Sequence, residues 1–277
     1  MSSFVKAARI HEHGGPEVIR IDHVDIPTPG DGEVLVATEA TSFNPTELAV
    51  RQGIFPIGLP HTLGWDLAGH HDGQPVVGFV DSGAAAEFTV APKDRIVPAP
   101  QSIPLRDAAA IPLAGLTAWQ VVEYVTKGQK VLINGAGGGI GSFAVQLAKR
   151  KGAYVVATAS ARSAEAVRKH GADEVIDYTR RVPDTPVDVM IHLVGTPPPW
   201  TPPARELIVS AAALVEADVP SKHVVMRYDR DTLAELVEMV DAGLITVDVT
   251  ASCPLDAMAE VHRKAGEFRG KVIVTTR

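Results

Sequence analysis

The sequence has one cysteine, few aromatic residues and no long run of apolar or basic side chains. Cys253 stands alone, which excludes an intrachain disulfide and a cysteine-rich zinc lobe and suits a reducing compartment. The net charge is −7 and the longest basic run is Lys149-Arg150-Lys151, which argues against a nucleic-acid partner or a polybasic membrane patch. No apolar stretch approaches the ~18 residues of a membrane helix, and no secretory signal is evident. We therefore expect a cytoplasmic protein with neither nucleic-acid nor membrane partners.

The sequence contains ample material for a core, in two regions of different texture. Of its 277 residues, 45% are hydrophobic, and residues 1 to about 100 are rich in β-pattern, proline and glycine. In "GEVLVATEA", Val34, Val36 and Thr38 share one face of a period-two pattern. From about residue 105, helical windows alternate with short apolar strands, expected at 130–134, 154–159, 173–178, 187–192 and 212–217. Such alternation predicts a parallel, doubly wound sheet.

The C-terminal part departs from this alternation. Thr232 with Glu235 predicts a capping box that starts a helix through "LAELVEMVDAG". After Gly243 the chain becomes extended, then helical near 255–266, then extended again in "GKVIVTT". We expect this tail to fold back on the N-terminal region.

The strongest chemical motif is the glycine loop in "LINGAGGGIGSFAVQLAK", between a buried strand and a helix predicted to begin near Ser142. Ala136, Gly138 and Gly141 fit A-x-G-x-x-G, a variant of the dinucleotide fingerprint. Small residues let the backbone turn sharply and approach a pyrophosphate, and free N–H groups at the helix start face the anion. The alternative is a glycine-rich turn with no ligand. The strand, loop, helix and next strand at this spacing favour nucleotide binding.

The residues after the second strand favour NADP(H) over NAD(H). An NAD site has an acidic residue about 20 positions after the loop, to bind the ribose 2′-hydroxyl. Here Ser160 stands at that place, Arg162 is close, and no acid follows until Glu165. An arginine beside a small hydroxyl residue suits a 2′-phosphate, which a carboxylate repels. The alternative is that Arg162 is only a solvated residue at a helix start.

The chain resembles the medium-chain dehydrogenase/reductases, and more narrowly their zinc-less quinone oxidoreductase (zeta-crystallin-like) branch. The similarity runs nearly end to end, and its carriers are "FNPTELAVRQG", "LGWDLAG", "AAAEFTV", "AAAIPLAGLTAW", "VLINGAGGGIGSFAVQLAKRKGA", "GADEVIDY" and "GKVIVTT". The resemblance implies an α/β protein with a GroES-like β-domain, residues 1–104 with 243–277, and a Rossmann NADP-binding domain, residues 105–242. It also implies a homodimer that transfers hydride from NADPH to a quinone or an activated alkene.

The resemblance also implies roles for single residues. Asn44 of the "FNP" motif is expected near the reacting ring as catalytic and cofactor-binding residue, where it orients the substrate or donates a hydrogen bond. The alternative is that Asn44 caps a local turn. The other expected cofactor-binding residues are Thr117, Ala136, Gly138, Gly139, Ile140, Gly141, Ser160, Arg162, Tyr178, Leu193 and Val194.

The sequence also departs from that family. Leu48 and Phe55 stand where relatives often carry tyrosines, and residues 1–100 contain no tyrosine. His192 replaces an aspartate at the end of the fourth strand of the second region. Two segments are shortened, one after Gly69 and one from about 205 to 225, and the first normally contributes to the cleft wall. A proton donor to the substrate is therefore expected to be water.

The segment "LPHTLGWDLAGHHDG" raises the question of a catalytic metal. A zinc enzyme of this superfamily is expected to have an early cysteine and Gly-His-Glu, whereas this chain has Gly64-Trp65-Asp66. His70 and His71 are adjacent, so in a strand they point to opposite faces and cannot easily share an ion. We predict no metal site.

The sequence thus predicts an NADPH-dependent, zinc-independent oxidoreductase that acts on a quinone or an α,β-unsaturated carbonyl. Two alternatives stay open. One is an enoyl reductase of the same fold that tailors a natural product. The other is a non-catalytic NADPH-binding sensor or structural protein.

Overall fold

The structure is a computed structural model that describes residues 4–277. Its strands in chain order are β1 (Phe4–Ile10), β2 (Ile19–Asp25), β3 (Glu33–Phe43), β4 (His61–Thr62), β5 (Asp66–His71), β6 (Gln74–Phe79), β7 (Phe88–Pro92), β8 (Ile96–Pro98), β9 (Lys130–Asn134), β10 (Tyr154–Ala159), β11 (Glu174–Asp177), β12 (Val187–His192), β13 (Ala204–Ser210), β14 (Ser221–His223), β15 (Val249–Pro254) and β16 (Lys271–Thr275). Its α-helices are α1 (Thr46–Arg51), α2 (Leu105–Ala108), α3 (Pro112–Val122), α4 (Gly139–Arg150), α5 (Ala164–Lys169), α6 (Arg230–Asp241) and α7 (Met258–Arg263). None of the helices within residues 4–277 combines the length and apolar character needed to cross a bilayer.

The chain divides into two compact units. The first runs to Leu113 and includes Tyr228–Ala242 and Val249–Arg277, while the second comprises Ala114–Arg227 and Gly243–Asp248. These bounds differ from the domains expected at 1–104 with 243–277 and at 105–242. The difference lies in where the late segments bind, as the hydrogen bonds of Asp241 and Gln146 show.

Helix α6 packs with the first unit because its last residue binds there. The Asp241 carboxylate accepts hydrogen bonds from the backbone N–H groups of Gln101 and Ser102, each at 2.8 Å. The segment 243–248 packs with the second unit through Gln146, whose amide donates to the Thr246 carbonyl at 3.0 Å and accepts from the Thr246 N–H at 2.8 Å.

The first unit is built on two β-sheets. In the smaller sheet, β1 pairs antiparallel with β2 and with β4. The larger sheet has the order β15-β16-β3-β5-β6-β8, with β7 also paired to β3. Strand β3 buries Val34, Val36 and Thr38, as the period-two pattern predicts. The C-terminal tail returns to this sheet, since β16 pairs antiparallel with β3, and the expected fold-back is confirmed.

The second unit contains the predicted parallel sheet, in the order β11-β10-β9-β12-β13-β14. This is the strand order of a doubly wound nucleotide-binding fold. Successive strands are added on one side of β9 and then, from β12 onward, on its other side, so the topological switch lies between β9 and β12. Ligands of such sheets bind outside the carboxyl ends of the strands at that switch. The glycine loop follows β9 and the residues Leu193 and Val194 follow β12, so both occupy the position where a ligand is expected.

Two local predictions are wrong. Residues 212–217 form no strand, and the sheet uses β13 and β14 instead. Strand β13 was not predicted because Arg205 and Glu206 interrupt the apolar pattern of "ARELIVS". The predicted capping box at Thr232 does not form either. Helix α6 begins earlier, and the Asp229 side chain caps it by accepting a hydrogen bond from the Thr232 N–H at 2.7 Å.

Candidate functional site

The glycine loop makes a tight turn from β9 into α4. Gly135 has φ +92°, a left-handed conformation that favours glycine. Helix α4 begins at Gly139, earlier than predicted, with Gly138 as its N-cap in an extended conformation. A Cβ on Gly141 would lie 2.3 Å from the Gly135 carbonyl oxygen, so only glycine allows the helix to pack this closely on the turn.

The start of α4 has the properties of an anion site. Within residues 4–277 no side chain caps this helix, so its first N–H groups, including those of Ile140 and Gly141, face outward with the positive end of the dipole. Gly138 is exposed, and the nearest atom to a Cβ built on it is the Gly135 oxygen at 3.4 Å. The glycine therefore keeps a space open above the helix start. A pyrophosphate fits both the open space and the free donors.

The turn after β10 lies directly beside the glycine loop. Ser160 follows β10, and its carbonyl accepts hydrogen bonds from the N–H groups of Ser163 and Ala164, both at 3.0 Å, as α5 begins. A Cβ on Gly137 would lie 2.3 Å from the Ser163 Oγ. Ser160 is half-buried and Arg162 is exposed. A group bound at the glycine loop is thus adjacent to the turn that carries Ser160 and Arg162.

The remaining expected residues of this unit are placed as follows. Tyr178 follows β11, is 55% exposed, and lies beside the end of β10 because Asp177 pairs with Ala159. Thr117 lies in α3 and is 3% exposed. Ala136 is fully buried behind the loop.

Leu193 and Val194 touch the first residue of the glycine loop. The Leu193 N–H donates to the Asn134 carbonyl at 2.9 Å. A Cβ on Gly135 would lie 3.1 Å from Val194 Cγ2 and 3.3 Å from Leu193 Cβ. The structure therefore brings the residues after β12 against the loop after β9.

Below this edge of the sheet, buried polar side chains connect three neighbouring strands. His192 Nδ1 lies 2.9 Å from Asn134 Nδ2, and Thr158 Oγ1 donates to Asn134 Oδ1 at 2.8 Å. The Gly135 N–H donates to Thr158 Oγ1 at 3.0 Å, and His192 Nε2 lies 2.9 Å from the Thr196 carbonyl oxygen. Burial lowers the pKa of His192, which keeps its ring neutral.

The first unit contains a second buried polar cluster, centred on Asn44. Lys271 Nζ donates to Asn44 Oδ1 at 2.7 Å, and Asn44 Nδ2 donates to Asp66 Oδ2 at 2.8 Å and to the Ser42 carbonyl at 3.3 Å. An ammonium group only donates, so its contact fixes the orientation of the Asn44 amide. Asn44 is 2% exposed, and both hydrogens of its amide are used within the protein.

The Asp66 carboxylate is also fully engaged. It accepts hydrogen bonds from the Ser42 hydroxyl and, at 2.8 Å, from the Leu113 N–H, and it lies 3.6 Å from Lys271 Nζ. All these side chains are buried. Asp66 therefore serves as a structural acid that organises the segment around Asn44.

Glu47 and Lys271 are buried ionisable groups of the same cluster. Burial raises the pKa of Glu47 to about 8, although a hydrogen bond from the Asn44 N–H at 3.0 Å opposes that rise. Burial lowers the pKa of Lys271, while the carboxylates of Asp66 and Glu47 oppose the change. The Asn44 side chain does not cap α1; instead Glu47 Oε1 accepts from the Asn44 N–H.

The residues of "LPHTLGWDLAGHHDG" do not converge. Over residues 4–277 no three histidine, cysteine, aspartate or glutamate side chains are grouped closely enough to hold a metal ion. His70 and His71 end β5 at a hairpin, where His70 is exposed and His71 Nδ1 contacts the Leu35 carbonyl at 3.2 Å.

Sequence reasoning missed several residues of these two clusters. Glu47 and Lys271 were visible only as parts of longer motifs, and Asn134 and Thr158 only as polar residues in apolar strands. A charged or polar residue inside a run otherwise suited to a buried strand is the signal that identifies them, because such groups are buried only with partners. Ser163 gave no signal, since its contact with Gly137 depends on the loop conformation.

Comparisons with known proteins find similar dehydrogenases and reductases. A family model described as zinc-binding dehydrogenase matches residues 139–201. The chain is 29% identical to the chloroplast envelope quinone oxidoreductase homolog of Arabidopsis thaliana, over 94% of this chain and 95% of that protein. It is 33% identical to the quinone oxidoreductase of Mus musculus over 63% of this chain and 58% of that protein. It is 32% identical to the trans-enoyl reductase pgmF of Aspergillus terreus over 61% of this chain and 56% of that protein.

Solved structures extend the similarity to the whole fold. The quinone oxidoreductase from Coxiella burnetii superimposes with a TM-score of 0.90 and 26% identity, over 99% of this chain and 100% of that one. A mycobacterial protein solved as a complex with NADPH has a TM-score of 0.87 and 26% identity, over 98% of this chain and 99% of that one. The predicted combination of a GroES-like domain with a Rossmann domain is thereby confirmed.

Proposed function

Because the chain belongs to the quinone oxidoreductase branch of the medium-chain dehydrogenase/reductases, we propose that it is an NADPH-dependent, zinc-independent reductase of quinones or α,β-unsaturated carbonyls. That it is an oxidoreductase with a nicotinamide cofactor follows from its relatives. The coenzyme preference, the absence of zinc and the acceptor are the proposed parts. The observation that carries the proposal is the open helix start at Gly138 beside the turn with Ser160 and Arg162.

The proposed preference for NADPH rests on the charges beside the glycine loop. Arg162 is exposed in the turn between β10 and α5, and Ser160 in the same turn offers a small hydroxyl group. These are the groups that hold a 2′-phosphate by charge-assisted hydrogen bonds. The donors of Gly139, Ile140 and Gly141 would hold the pyrophosphate, and Tyr178 would pack at the adenosine end.

When bound, NADPH supplies the hydride for the reaction. The protein residues then have positioning roles. Leu193 and Val194 line the side of the loop where the carboxyl ends of β9 and β12 meet, and Thr117 belongs to the same unit. Asn44 is held by Lys271 and Asp66, and both its amide hydrogens are already used. We propose that it positions the segment between β3 and α1 rather than donating directly to substrate.

The proposed independence from zinc rests on donor chemistry. Asp66 stands at the position of the glutamate in Gly-His-Glu, yet its oxygens accept bonds from Ser42, Asn44 and the Leu113 N–H. A carboxylate engaged by several donors is a poor candidate for a metal ligand. Hydride acceptors that need no Lewis acid, such as quinones and enones, suit such a site.

The test is to mix purified protein with NADPH or NADH and a panel of quinones and enones, and to follow loss of the reduced nicotinamide absorbance. We expect turnover with NADPH to exceed turnover with NADH by at least about tenfold, the worth of one charge-assisted contact. Tight NADPH binding without turnover on any acceptor would instead support the non-catalytic sensor or structural protein.

A second candidate function is reduction of an enoyl intermediate in natural-product synthesis. The similarity to a trans-enoyl reductase favours it, as does the short hairpin after β5, where Asp72 and Gly73 turn directly into β6. The same assay, with enoyl thioesters added to the panel, separates the two functions. Turnover of enoyl thioesters at rates above those of simple quinones supports the enoyl reductase.

Two further proposals concern the setting of the enzyme. We propose a homodimer, as the family resemblance implies, which light scattering of the purified protein tests directly. A cytoplasmic location is proposed from the single cysteine, Cys253, which is half-buried and unpaired with another cysteine in residues 4–277. Fluorescence imaging of the tagged protein in its source cells tests the location.

A further inference from the structure

The hydrogen-bond chain through His192 connects the two backbone segments that follow β9 and β12. It begins at the Gly135 N–H, passes through Thr158, Asn134 and His192, and ends at the Thr196 carbonyl. Its three side chains belong to the adjacent strands β10, β9 and β12 and are 1%, 8% and 0% exposed, respectively. Both ends are therefore loop backbone, and everything between them is rigid sheet.

The role of each group in this chain is determined from both ends. At one end, the Gly135 N–H donates to Thr158 Oγ1, and with the Asn134 amide oriented as in the structure Thr158 donates its own hydrogen to Asn134 Oδ1. Asn134 Nδ2 then faces His192 and donates to Nδ1. At the other end, the Thr196 carbonyl can only accept, so His192 Nε2 carries the ring hydrogen. With the Asn134 amide in this orientation, both ends require the same neutral tautomer of His192, with the hydrogen on Nε2.

We infer that His192 is a positioning residue that fixes the loop after β12, Leu193 to Thr196, against the glycine loop. This inference rests on the proposed function, because it assigns the spacing of these two loops to the binding of the nicotinamide coenzyme. The direct contacts point the same way. Leu193 and Val194 pack on Gly135, and the Leu193 N–H binds the Asn134 carbonyl. The buried hydrogen-bond chain thus joins the loops after β9 and β12, which also contact each other directly.

The expected consequence is that removing any one of these hydrogen bonds increases the mobility of both loops. His192→Leu removes both bonds of the ring, whereas His192→Gln keeps an amide donor for the Thr196 carbonyl and an acceptor for Asn134. We expect His192→Leu to weaken NADPH binding about tenfold and His192→Gln to stay within about threefold, as befits loss of buried hydrogen bonds against their partial retention.

A second variant interrupts the hydrogen-bond chain at Thr158, which is joined to His192 only through Asn134. Thr158→Val removes the hydroxyl that joins Gly135 to Asn134 while keeping the shape of the side chain. We expect it to weaken NADPH binding about threefold or more. In the double variant with His192→Leu, the loss of NADPH affinity should be no larger than for His192→Leu alone, because either change already interrupts the same hydrogen-bond chain. Independent structural effects would instead multiply the two losses.

The control for lost stability is Ile208→Ala. Ile208 is fully buried in β13 and takes no part in the chain. It should lower the midpoint of unfolding and leave NADPH affinity unchanged. If all destabilised variants, Ile208→Ala included, lose affinity in proportion to their stability, the positioning role of His192 is overturned.

The closing experiment is hydrogen–deuterium exchange of the protein without nucleotide, compared among wild type, His192→Leu, His192→Gln and Thr158→Val. We expect faster exchange in both 135–141 and 193–196 for His192→Leu and Thr158→Val, with His192→Gln close to wild type. Faster exchange confined to one of these segments would overturn the inference. If His192→Leu does not fold, Thr158→Val decides between these outcomes. Failure of the wild-type protein to bind any nicotinamide nucleotide would overturn the proposed function only, because the exchange result does not depend on nucleotide.

Discussion

Replacing Glu47 by glutamine should remove a large part of the pH dependence of stability. Glu47 is 1% exposed, its Oε1 accepts from the Asn44 N–H, and its Oε2 has no hydrogen-bond partner among residues 4–277. Burial raises its pKa from 4.5 to about 8. Glutamine has the shape of the protonated acid but cannot ionise.

The sign follows from the raised pKa. The folded state holds the Glu47 proton over a pH range in which the unfolded chain has lost it, so stability falls as the pH rises from about 4.5 towards 8. The rise from 4.5 to about 8 corresponds to about 5 kcal/mol of stability, nearly all of which is lost between about pH 4.5 and pH 8. At the acidic end, the Glu47→Gln protein should match the wild type within about 1 kcal/mol.

The assay is urea unfolding of both proteins from about pH 5 to pH 9. The difference in unfolding free energy between Glu47→Gln and wild type should grow with pH in favour of the variant. Glu238→Gln, an exposed change on α6, serves as the matched control and should leave the pH dependence as it is in the wild type. Parallel curves for wild type and Glu47→Gln would refute the argument that burial keeps Glu47 protonated.

Four further changes test the proposed nucleotide site and the cluster around Asn44. Gly138→Ala should keep stability within about 1 kcal/mol, because its Cβ has space, yet weaken NADPH binding at least about tenfold in a fluorescence titration, because the pyrophosphate is expected there. Gly141→Ala should lower the unfolding free energy by about 2 kcal/mol or more, since its Cβ meets backbone. Arg162→Ala should weaken NADPH binding and leave NADH binding nearly unchanged. Lys271→Met should cost about 3 to 5 kcal/mol in urea unfolding, because it leaves the buried Asp66 carboxylate without its cation.

Each of these predictions has a contrary result. Unchanged NADPH affinity in Gly138→Ala would place the pyrophosphate elsewhere. Full stability of Gly141→Ala would show that the turn can move away from α4. Equal losses of NADPH and NADH affinity in Arg162→Ala would show that this residue does not bind the 2′-phosphate. An unfolding free energy for Lys271→Met equal to wild type would mean that Asp66 is not paired electrostatically in the folded protein.

The sequence predicted those parts of the fold that depend on local pattern. Strands β9, β10 and β12 were expected at their observed bounds, because each is a short apolar run between turn signals. Strand β13 was missed since Arg205 and Glu206 interrupt its apolar face. The cap of α6 was misplaced by three residues because both Asp229 and Thr232 can cap a helix, and local sequence does not rank them.

The site shows the same division. The glycine loop and the turn at Ser160 follow from one continuous motif and its spacing, and they lie together in the structure. The cluster of Asn44, Asp66 and Lys271 joins positions far apart in the chain, through the pairing of β3 with β16 and β5. Such contacts depend on sheet register, which no local pattern specifies.

The most direct test of the central claim is NADPH oxidation by the protein after treatment with a strong chelator and removal of the chelator. With a quinone or an enone as acceptor, we expect full activity, with one NADPH consumed for each acceptor molecule reduced. Loss of activity on chelation, followed by recovery when Zn²⁺ is added, would contradict the account of a zinc-independent NADPH reductase.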